Sequence, residues 1–127
     1  MHKVLIFENQ IFDIENTFKF INLIKFDNKL DFTYYTTSQE LKSFDELNNY
    51  DLIIIDIDLS RKSEKDGFGI IKSIEEYDDK ILNKSFILTG STKIEEKLKE
   101  YKLKQIPVLT KPVETEKLHV LMKNILS

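Results

Sequence analysis

A run of four large aliphatic residues at positions 52–55, followed directly by Asp56, constrains the fold of this chain more than any other feature. These apolar residues do not alternate with polar ones, so the run predicts a strand that is buried on both faces, as in a parallel sheet covered by helices. In open α/β sheets, ligands bind beyond the carboxyl ends of the strands. The sequence therefore predicts that Asp56 presents a carboxylate at the edge of the sheet where such sites lie.

The remainder of the chain alternates strand patterns with helix patterns. Five strands are predicted, at residues 3–7, 31–36, 51–56, 85–89 and 106–110. The second strand alternates weakly and the fifth contains Pro107, which has no N–H to donate, so both are predicted to be edge strands. The segments between strands carry apolar residues three and four positions apart, the spacing of helices with one buried face. We therefore predict a single α/β domain over residues 1–127, a doubly wound parallel sheet with helices on both faces.

Local signals add detail to the connections between the strands. Thr37 with Glu40, and Thr92 with Glu95, have the spacing of a capping box, so a helix is predicted to begin at each pair. Gly67 is expected to permit the turn into the helix after the third strand. The residues expected on the inner helix faces are Ile11, Ile14, Phe18, Ile21, Leu41, Phe44, Ile70, Ile74, Tyr77, Ile81, Ile94, Leu98, Tyr101, Leu118, Leu121, Met122 and Ile125.

Composition argues against several classes of function. The 19 basic and 22 acidic residues give a net charge of −3 and no broad basic surface for a nucleic acid. The absence of cysteine excludes disulfides, thiolate metal sites and cysteine nucleophiles. No apolar stretch approaches the roughly 20 residues of a membrane helix, and the amino terminus lacks the apolar core of a signal peptide. We therefore expect a cytoplasmic protein that contacts neither nucleic acid nor membrane.

Polar residues also follow the other strands. Glu8 and Asn9 come after the first strand, Thr89 ends the fourth, and Lys111 follows the fifth. Right-handed crossovers bring the carboxyl ends of parallel strands to one rim, so these residues are expected to meet near Asp56. A carboxylate that attacks phosphorus must overcome repulsion from the phosphoryl oxygens, which requires a divalent cation and fixed positive charge. Acids, a hydroxyl and a lysine at one rim therefore point to phosphoryl chemistry.

The order and placement of five motifs carry a resemblance that covers the whole chain. The motifs are Val4-Leu5-Ile6-Phe7-Glu8-Asn9, Asp51-Leu52-Ile53-Ile54-Ile55-Asp56, Asp66-Gly67, Ile87-Leu88-Thr89-Gly90 and Leu109-Thr110-Lys111-Pro112. With them the chain resembles the receiver domains of bacterial response regulators, which act in two-component signalling. The resemblance implies a flavodoxin-like (βα)5 fold and places the phosphoacceptor aspartate at Asp56. It also implies a sensor histidine kinase or histidine phosphotransfer protein as donor, a downstream protein effector, and a monomer or weak homodimer.

The resemblance further implies roles for the rim residues. Lys111 is expected to act as a point charge on the phosphoryl oxygens, and the Thr89 hydroxyl to hydrogen-bond one of them. Mg²⁺, which prefers oxygen ligands, is the expected cofactor. Its expected ligands are Glu8, Asn9, Asp56 and the backbone carbonyl of Asp58. The chain is expected to catalyse only its own phosphorylation and dephosphorylation, without turnover of a free metabolite. We therefore predict that it is not an enzyme.

Three features depart from the pattern of the family. Asn9 stands where a second acid is usual, which removes a negative charge from the cation site; the Asp58 side chain is a candidate replacement because it lies two residues beyond Asp56. Residues 60–65 form a short charged insertion, which is more typical of a solvated, mobile loop than of a contact to the phosphodonor. Val108 replaces the usual aromatic switch residue, so an output has to use a different rearrangement.

Two other functions remain open. The departures at Asn9 and Val108 are compatible with a degenerate receiver that binds partners without phosphorylation. The Asp56-Ile57-Asp58 sequence after an apolar strand also resembles phosphatases of the haloacid dehalogenase type. Those enzymes place the pair after the first strand and need an acidic cluster after the lysine, where this chain has only Glu114 and Glu116. The joint presence of Asp56, Thr89 and Lys111 favours the phosphorylation switch.

Overall fold

A computed structural model describes all residues, 1–127, and contains one sheet of five parallel strands. The strands are β1 (His2–Phe7), β2 (Leu30–Tyr35), β3 (Leu52–Ile55), β4 (Ser85–Thr89) and β5 (Val108–Thr110). Their spatial order is β2-β1-β3-β4-β5, so β2 and β5 lie at the edges, as predicted. All residues of β3 are buried, which agrees with its unbroken apolar run. The predicted fold class, a flavodoxin-like doubly wound parallel sheet, is confirmed.

Four α-helices cover the two faces of the sheet. They are α1 (Ile11–Lys25), α2 (Gly67–Asp78), α3 (Ile94–Glu100) and α4 (Thr115–Leu126). α1 and α4 pack on one face, where Phe18 and Met122 are fully buried in the same apolar cluster. α2 and α3 pack on the other face, with Ile74 and Leu98 fully buried. No helix has the length and apolar character needed to cross a membrane.

The helix predicted to begin at Thr37 does not form. Two short 3₁₀ helices, Ser38–Glu40 and Phe44–Asn49, connect β2 to β3 instead, so the second unit of the expected (βα)5 pattern lacks its α-helix. The Glu40 carboxylate accepts a hydrogen bond from the Thr37 N–H at 3.3 Å, so the local interaction exists without the helix. The segment buries Leu47 in the core without forming an α-helix, and its Asp and Asn side chains favour turns over helix interiors.

Two other helix boundaries differ from the prediction. α3 begins at Ile94, after Lys93 in a left-handed conformation (φ 59°), so the Thr92–Glu95 pair does not cap it. α2 ends at Asp78, and a 3₁₀ helix, Asp79–Lys84, follows it and brings Ile81 into the core. Two aromatic residues that were predicted to face inward are about half exposed instead, Tyr77 (49%) and Tyr101 (53%). Tyr101 follows the last residue of α3, whereas Tyr77 lies in the last turn of α2, where its ring packs against Phe44 with the centroids 6.0 Å apart.

Candidate functional site

Three charged side chains meet at the carboxyl rim of the sheet. Glu8 follows β1, Asp56 follows β3 and Lys111 follows β5, and the parallel arrangement brings these strand ends together. The Lys111 ammonium donates hydrogen bonds to Glu8 Oε1 and, at 3.0 Å, to Asp56 Oδ2. Glu8 is 1% exposed and Asp56 is 4% exposed. The sequence prediction that these residues converge is borne out by this geometry.

The electrostatics of this cluster are unbalanced. Burial raises the pKa of the Glu8 carboxyl; the hydrogen bond from Lys111 opposes this shift and the neighbouring Asp56 adds to it. Burial acts to lower the pKa of Lys111, but its bonds to Glu8 and Asp56 outweigh burial and the pKa is raised. Lys111 therefore stays an ammonium, and two buried carboxylates share one positive charge. The excess negative charge and the oxygen donors suit a divalent cation.

The backbone of Asp56 is fixed by a close approach of α2. A Cβ atom at Gly67 would lie 2.5 Å from both the Asp56 carbonyl oxygen and Ile57 Cα, so no larger residue fits without displacing backbone. Asp66 caps the same helix, accepting a hydrogen bond from the Gly69 N–H at 2.8 Å. No glycine has a positive φ, so close packing, and not the expected conformational freedom, explains Gly67. The Asp66-Gly67 motif thus positions the phosphoacceptor candidate.

A second set of polar contacts lies on the other side of Asp56. The Asp58 N–H donates to Asp56 Oδ1 at 3.1 Å, and the Asp58 carboxylate accepts from the Ser91 hydroxyl at 2.7 Å. The Ser91 N–H donates to the Thr89 hydroxyl oxygen at 3.3 Å. Thr89 is fully buried, as the last residue of β4. Sequence reasoning missed Ser91, although its position two residues after the strand that ends in Thr89 was an available signal.

The predicted metal ligands are only partly assembled. Glu8 and Asp56 face one another across Lys111, whereas Asn9 is exposed and the Asp58 carboxylate is engaged by Ser91. No group of three or more acidic, histidine or cysteine side chains is arranged to hold a metal ion. Any cation at this rim therefore has two carboxylates to bind, together with carbonyl oxygens and water.

The charged insertion at 60–65 is hydrogen-bonded to residues 38 and 39. The Ser38 N–H donates to Ser63 Oγ at 2.8 Å, and the Lys65 N–H donates to Ser38 Oγ at 3.0 Å. Gln39 donates to the Lys62 carbonyl at 2.6 Å and accepts from the Glu64 N–H at 2.9 Å. The insertion therefore packs on the 3₁₀ segment that replaces the expected helix, while its charged side chains are exposed, as expected for a solvated segment.

An apolar stripe on α1 faces away from the core. Four large residues of this helix are at least half exposed: Phe12 (92%), Phe20 (53%), Leu23 (59%) and Ile24 (55%). The stripe begins at Phe12, close in the chain to Glu8, and a depression of about 350 Å³ lined by Asp13, Thr17, Lys111 and Pro112 lies beside it. Exposed apolar patches are typical of protein contact sites.

Comparisons with known proteins agree on the fold. No protein-family model matches the sequence, and no curated protein matches it. Among solved structures, the chain is similar to the receiver domain of the Francisella response regulator 1452, with 24% identity, a TM-score of 0.69, and 99% of this chain and 97% of that chain covered. It is also similar to a CheY-like response regulator receiver domain protein from Methanospirillum hungatei, with 16% identity, a TM-score of 0.73, and 99% and 94% covered.

A third similar structure is the non-phosphorylated HemR receiver domain from Leptospira biflexa, with 18% identity, a TM-score of 0.70, and 100% of this chain and 95% of that chain covered. The class defined by these structures is the response regulator receiver domain. The chain has the receiver-domain fold over nearly its whole length, and the resemblance drawn from its sequence motifs is confirmed at the level of the fold.

Proposed function

We propose that this chain is a phosphoacceptor receiver domain in which Asp56 takes a phosphoryl group from the phosphohistidine of a histidine kinase or a histidine phosphotransfer protein. An Asp56 carboxylate oxygen forms a bond to phosphorus, the bond from phosphorus to the donor imidazole nitrogen breaks, and its electron pair stays on the imidazole. The observation that carries the proposal is the buried Asp56 carboxylate, held at 3.0 Å by the Lys111 ammonium at the sheet rim.

The rim residues supply what this transfer needs. Lys111 offers fixed positive charge to the phosphoryl oxygens, which spread negative charge in the transition state. The Thr89 hydroxyl accepts a bond from Ser91 and keeps its own proton free to donate to a phosphoryl oxygen. Because the transferred group ends on the protein itself, the chain acts as a switch and turns over no free metabolite.

Mg²⁺ is the cofactor that we propose for this site. Glu8 and Asp56 carry one negative charge more than Lys111 neutralises, and the Asp58 carbonyl belongs to the same strand end. Mg²⁺ keeps several waters and binds through one or two carboxylates, which matches two available acids. When bound, the cation neutralises charge on the attacking and transferred oxygens. Asn9 supplies at most an amide oxygen, so weak affinity is expected.

A protein donor and a protein effector are proposed as partners. The exposed stripe on α1 supports a protein contact next to the rim, since a donor that reaches Asp56 passes the amino-terminal end of this helix. A transfer between proteins also needs more contact surface than the small rim site provides, and the stripe offers it.

The test is the intact mass of the protein after incubation with acetyl phosphate, with and without Mg²⁺. We expect the gain of one phosphoryl group that depends on Mg²⁺ and is lost in Asp56→Asn. A gain that persists in Asp56→Asn would place the modification elsewhere. No gain, together with no binding of beryllofluoride in the presence of Mg²⁺, would contradict the proposal.

A second candidate function is a binding module that works without phosphorylation. The observation that favours it is that Lys111 already binds both Glu8 and Asp56, while Asn9 leaves the cation site short of one acid. The same experiment separates the two, because this module would neither gain a phosphoryl group nor bind beryllofluoride. Hydrolysis of p-nitrophenyl phosphate in parallel would favour the phosphatase alternative.

A further inference from the structure

Ser91 links Asp58 to Thr89 in a chain of hydrogen bonds that begins at Asp56. Its hydroxyl donates to the Asp58 carboxylate at 2.7 Å, and its N–H donates to the Thr89 hydroxyl oxygen at 3.3 Å. Asp58 in turn donates its N–H to Asp56 Oδ1 at 3.1 Å. The chain of contacts thus runs from Asp56 through Asp58 and Ser91 to Thr89, and it lacks only a link from Thr89 back to Asp56.

A phosphoryl group on Asp56 would supply that link. A hydroxyl accepts and donates at the same time, so Thr89 can donate to a phosphoryl oxygen while it still accepts from Ser91. Thr89 is fully buried and ends a central strand, so its side chain has few positions to choose from. Any shift of the Thr89 hydroxyl toward the phosphoryl group therefore lengthens the Ser91 bond or moves Ser91 with it.

Ser91 is placed to pass such a shift to α3. Only Thr92 and Lys93 separate it from the first residue of the helix, and Lys93 adopts a left-handed conformation that is costly for a residue with a side chain. Behind this short connection, Ile94 is 1% exposed, so the start of α3 is packed against the core. A displacement of Ser91 therefore moves the first turn of α3, because the connection between them is only two residues long.

We propose that Ser91 is the positioning residue that transmits the phosphorylation state of Asp56 to the segment 90–94 and the start of α3. This inference rests on the proposed function and names how its signal leaves the site. It gives the signal a route that does not need an aromatic switch residue, which is absent here because the branched aliphatic Val108 stands in its place. The bond between Asp58 and Ser91 holds segment 90–94 in its unphosphorylated position. The bond from Thr89 to the phosphoryl group favours a second, displaced position of the same segment.

The experiment measures amide chemical shifts of ¹⁵N-labelled protein before and after addition of beryllofluoride and Mg²⁺. In the wild type we expect shifts at Asp56 and Thr89 that extend through residues 90–98. In Ser91→Ala the beryllofluoride concentration at half-saturation should stay within about twofold of the wild-type value. The chemical-shift changes of residues 92–98 should be at least twofold smaller than in the wild type. Ser91→Thr retains the hydroxyl and should restore them. Thr92→Ala, which removes an exposed hydroxyl from the same connection, should behave as the wild type.

The possible outcomes separate this inference from the function on which it rests. If beryllofluoride binds and residues 92–98 shift as much in Ser91→Ala as in the wild type, the role of Ser91 is overturned and the phosphoacceptor function stands. If beryllofluoride does not bind the wild type, both fail together. Equal loss of the shifts in Thr92→Ala would also overturn the assignment, because the effect would then belong to the loop in general and not to the bond between the Ser91 hydroxyl and Asp58.

Discussion

The two sides of Asp56 differ in how they hold it. On one side, the Lys111 ammonium donates to Asp56 Oδ2 and to the Glu8 carboxylate, so both hydrogen bonds join opposite charges, and Glu8 and Asp56 are buried. On the other side, a neutral N–H from Asp58 holds Oδ1, and Asp58 itself is exposed and bonded to Ser91. The bonds on the first side join two charged groups where water is excluded, which strengthens them, whereas no bond on the second side has a charged donor.

This difference divides the work of the site. The charged side keeps the reacting carboxylate and the ammonium in fixed positions, which is what stabilisation of a transition state requires. The bonds on the neutral side have uncharged donors, and Asp58 is exposed, so these bonds can be exchanged for bonds to a new group or to water more easily than the buried ion pairs. We therefore expect substitutions on the charged side to change the phosphoryl transfer itself. Substitutions on the neutral side should change what the transfer does to the rest of the molecule.

Lys111→Ala should have the largest effect. Removal of one preorganised charged donor from a reacting group costs on the order of 100-fold in rate. We expect the rate of labelling by acetyl phosphate at saturating Mg²⁺ to fall by that amount per folded molecule, as followed by intact mass. Lys117→Ala is the matched control, because this lysine lies on α4 and its side chain is 66% exposed. Labelling of Lys111→Ala at the wild-type rate would break the comparison, since the charged side would then contribute nothing to the transfer.

Gly67→Ala should have the next largest effect. The two sides share the backbone of Asp56, and the added methyl group would collide with it at 2.5 Å. Overpacking of this kind costs about 1–3 kcal/mol, which urea unfolding would detect as a lower midpoint. Gly90→Ala provides a matched control, because no atom lies within 4 Å of a Cβ at that position. An unchanged urea midpoint for Gly67→Ala would show that the backbone of Asp56 moves easily to make room for the methyl group. The two sides of Asp56 would then not share a rigid backbone.

The sequence allowed the charged side to be predicted, because it depends on strand ends. The apolar run before Asp56 identifies a central strand, and parallel strands bring Glu8 and Lys111 to the same rim whatever the details of the connections. The same reasoning predicted the sheet and its edge strands correctly. Patterns of this kind survive because burial on both faces requires many apolar residues in a row.

The neutral side was not predictable in the same way. The bond between Ser91 and Asp58 joins two residues that are 33 positions apart, and neither sequence neighbourhood indicates the other. The role of Gly67 depends on a close approach that no local pattern encodes. The Thr37–Glu40 signal failed for a related reason: a capping interaction describes how a helix can begin, whereas its continuation depends on tertiary packing that the local sequence does not show.

Glu8→Gln should have the smallest effect, and its sign is informative. The raised pKa of Glu8 means that the folded state favours the neutral carboxyl relative to the unfolded chain. This contribution is fully present below pH 4.5, the ordinary value for glutamate, and is lost as the pH rises through the raised pKa. Glutamine remains neutral at every pH and still accepts a bond from Lys111. In the absence of Mg²⁺, the variant should therefore be more stable than the wild type at pH 7, and the difference should shrink toward pH 4.

Urea unfolding at a series of pH values measures the difference in stability between Glu8→Gln and the wild type. Glu96→Gln, on the exposed face of α3, is the control and should be as stable as the wild type at each pH. Mg²⁺ should reverse the order, because a ligand that binds only the folded state stabilises it and the variant has lost one of the two carboxylates that would bind the cation. A variant that is less stable than the wild type at pH 7 without Mg²⁺ would mean that the ion pair with Lys111 outweighs the cost of burying the Glu8 charge. The charged side would then be held together without a cation, and the need for Mg²⁺ would have to come from the phosphoryl group alone.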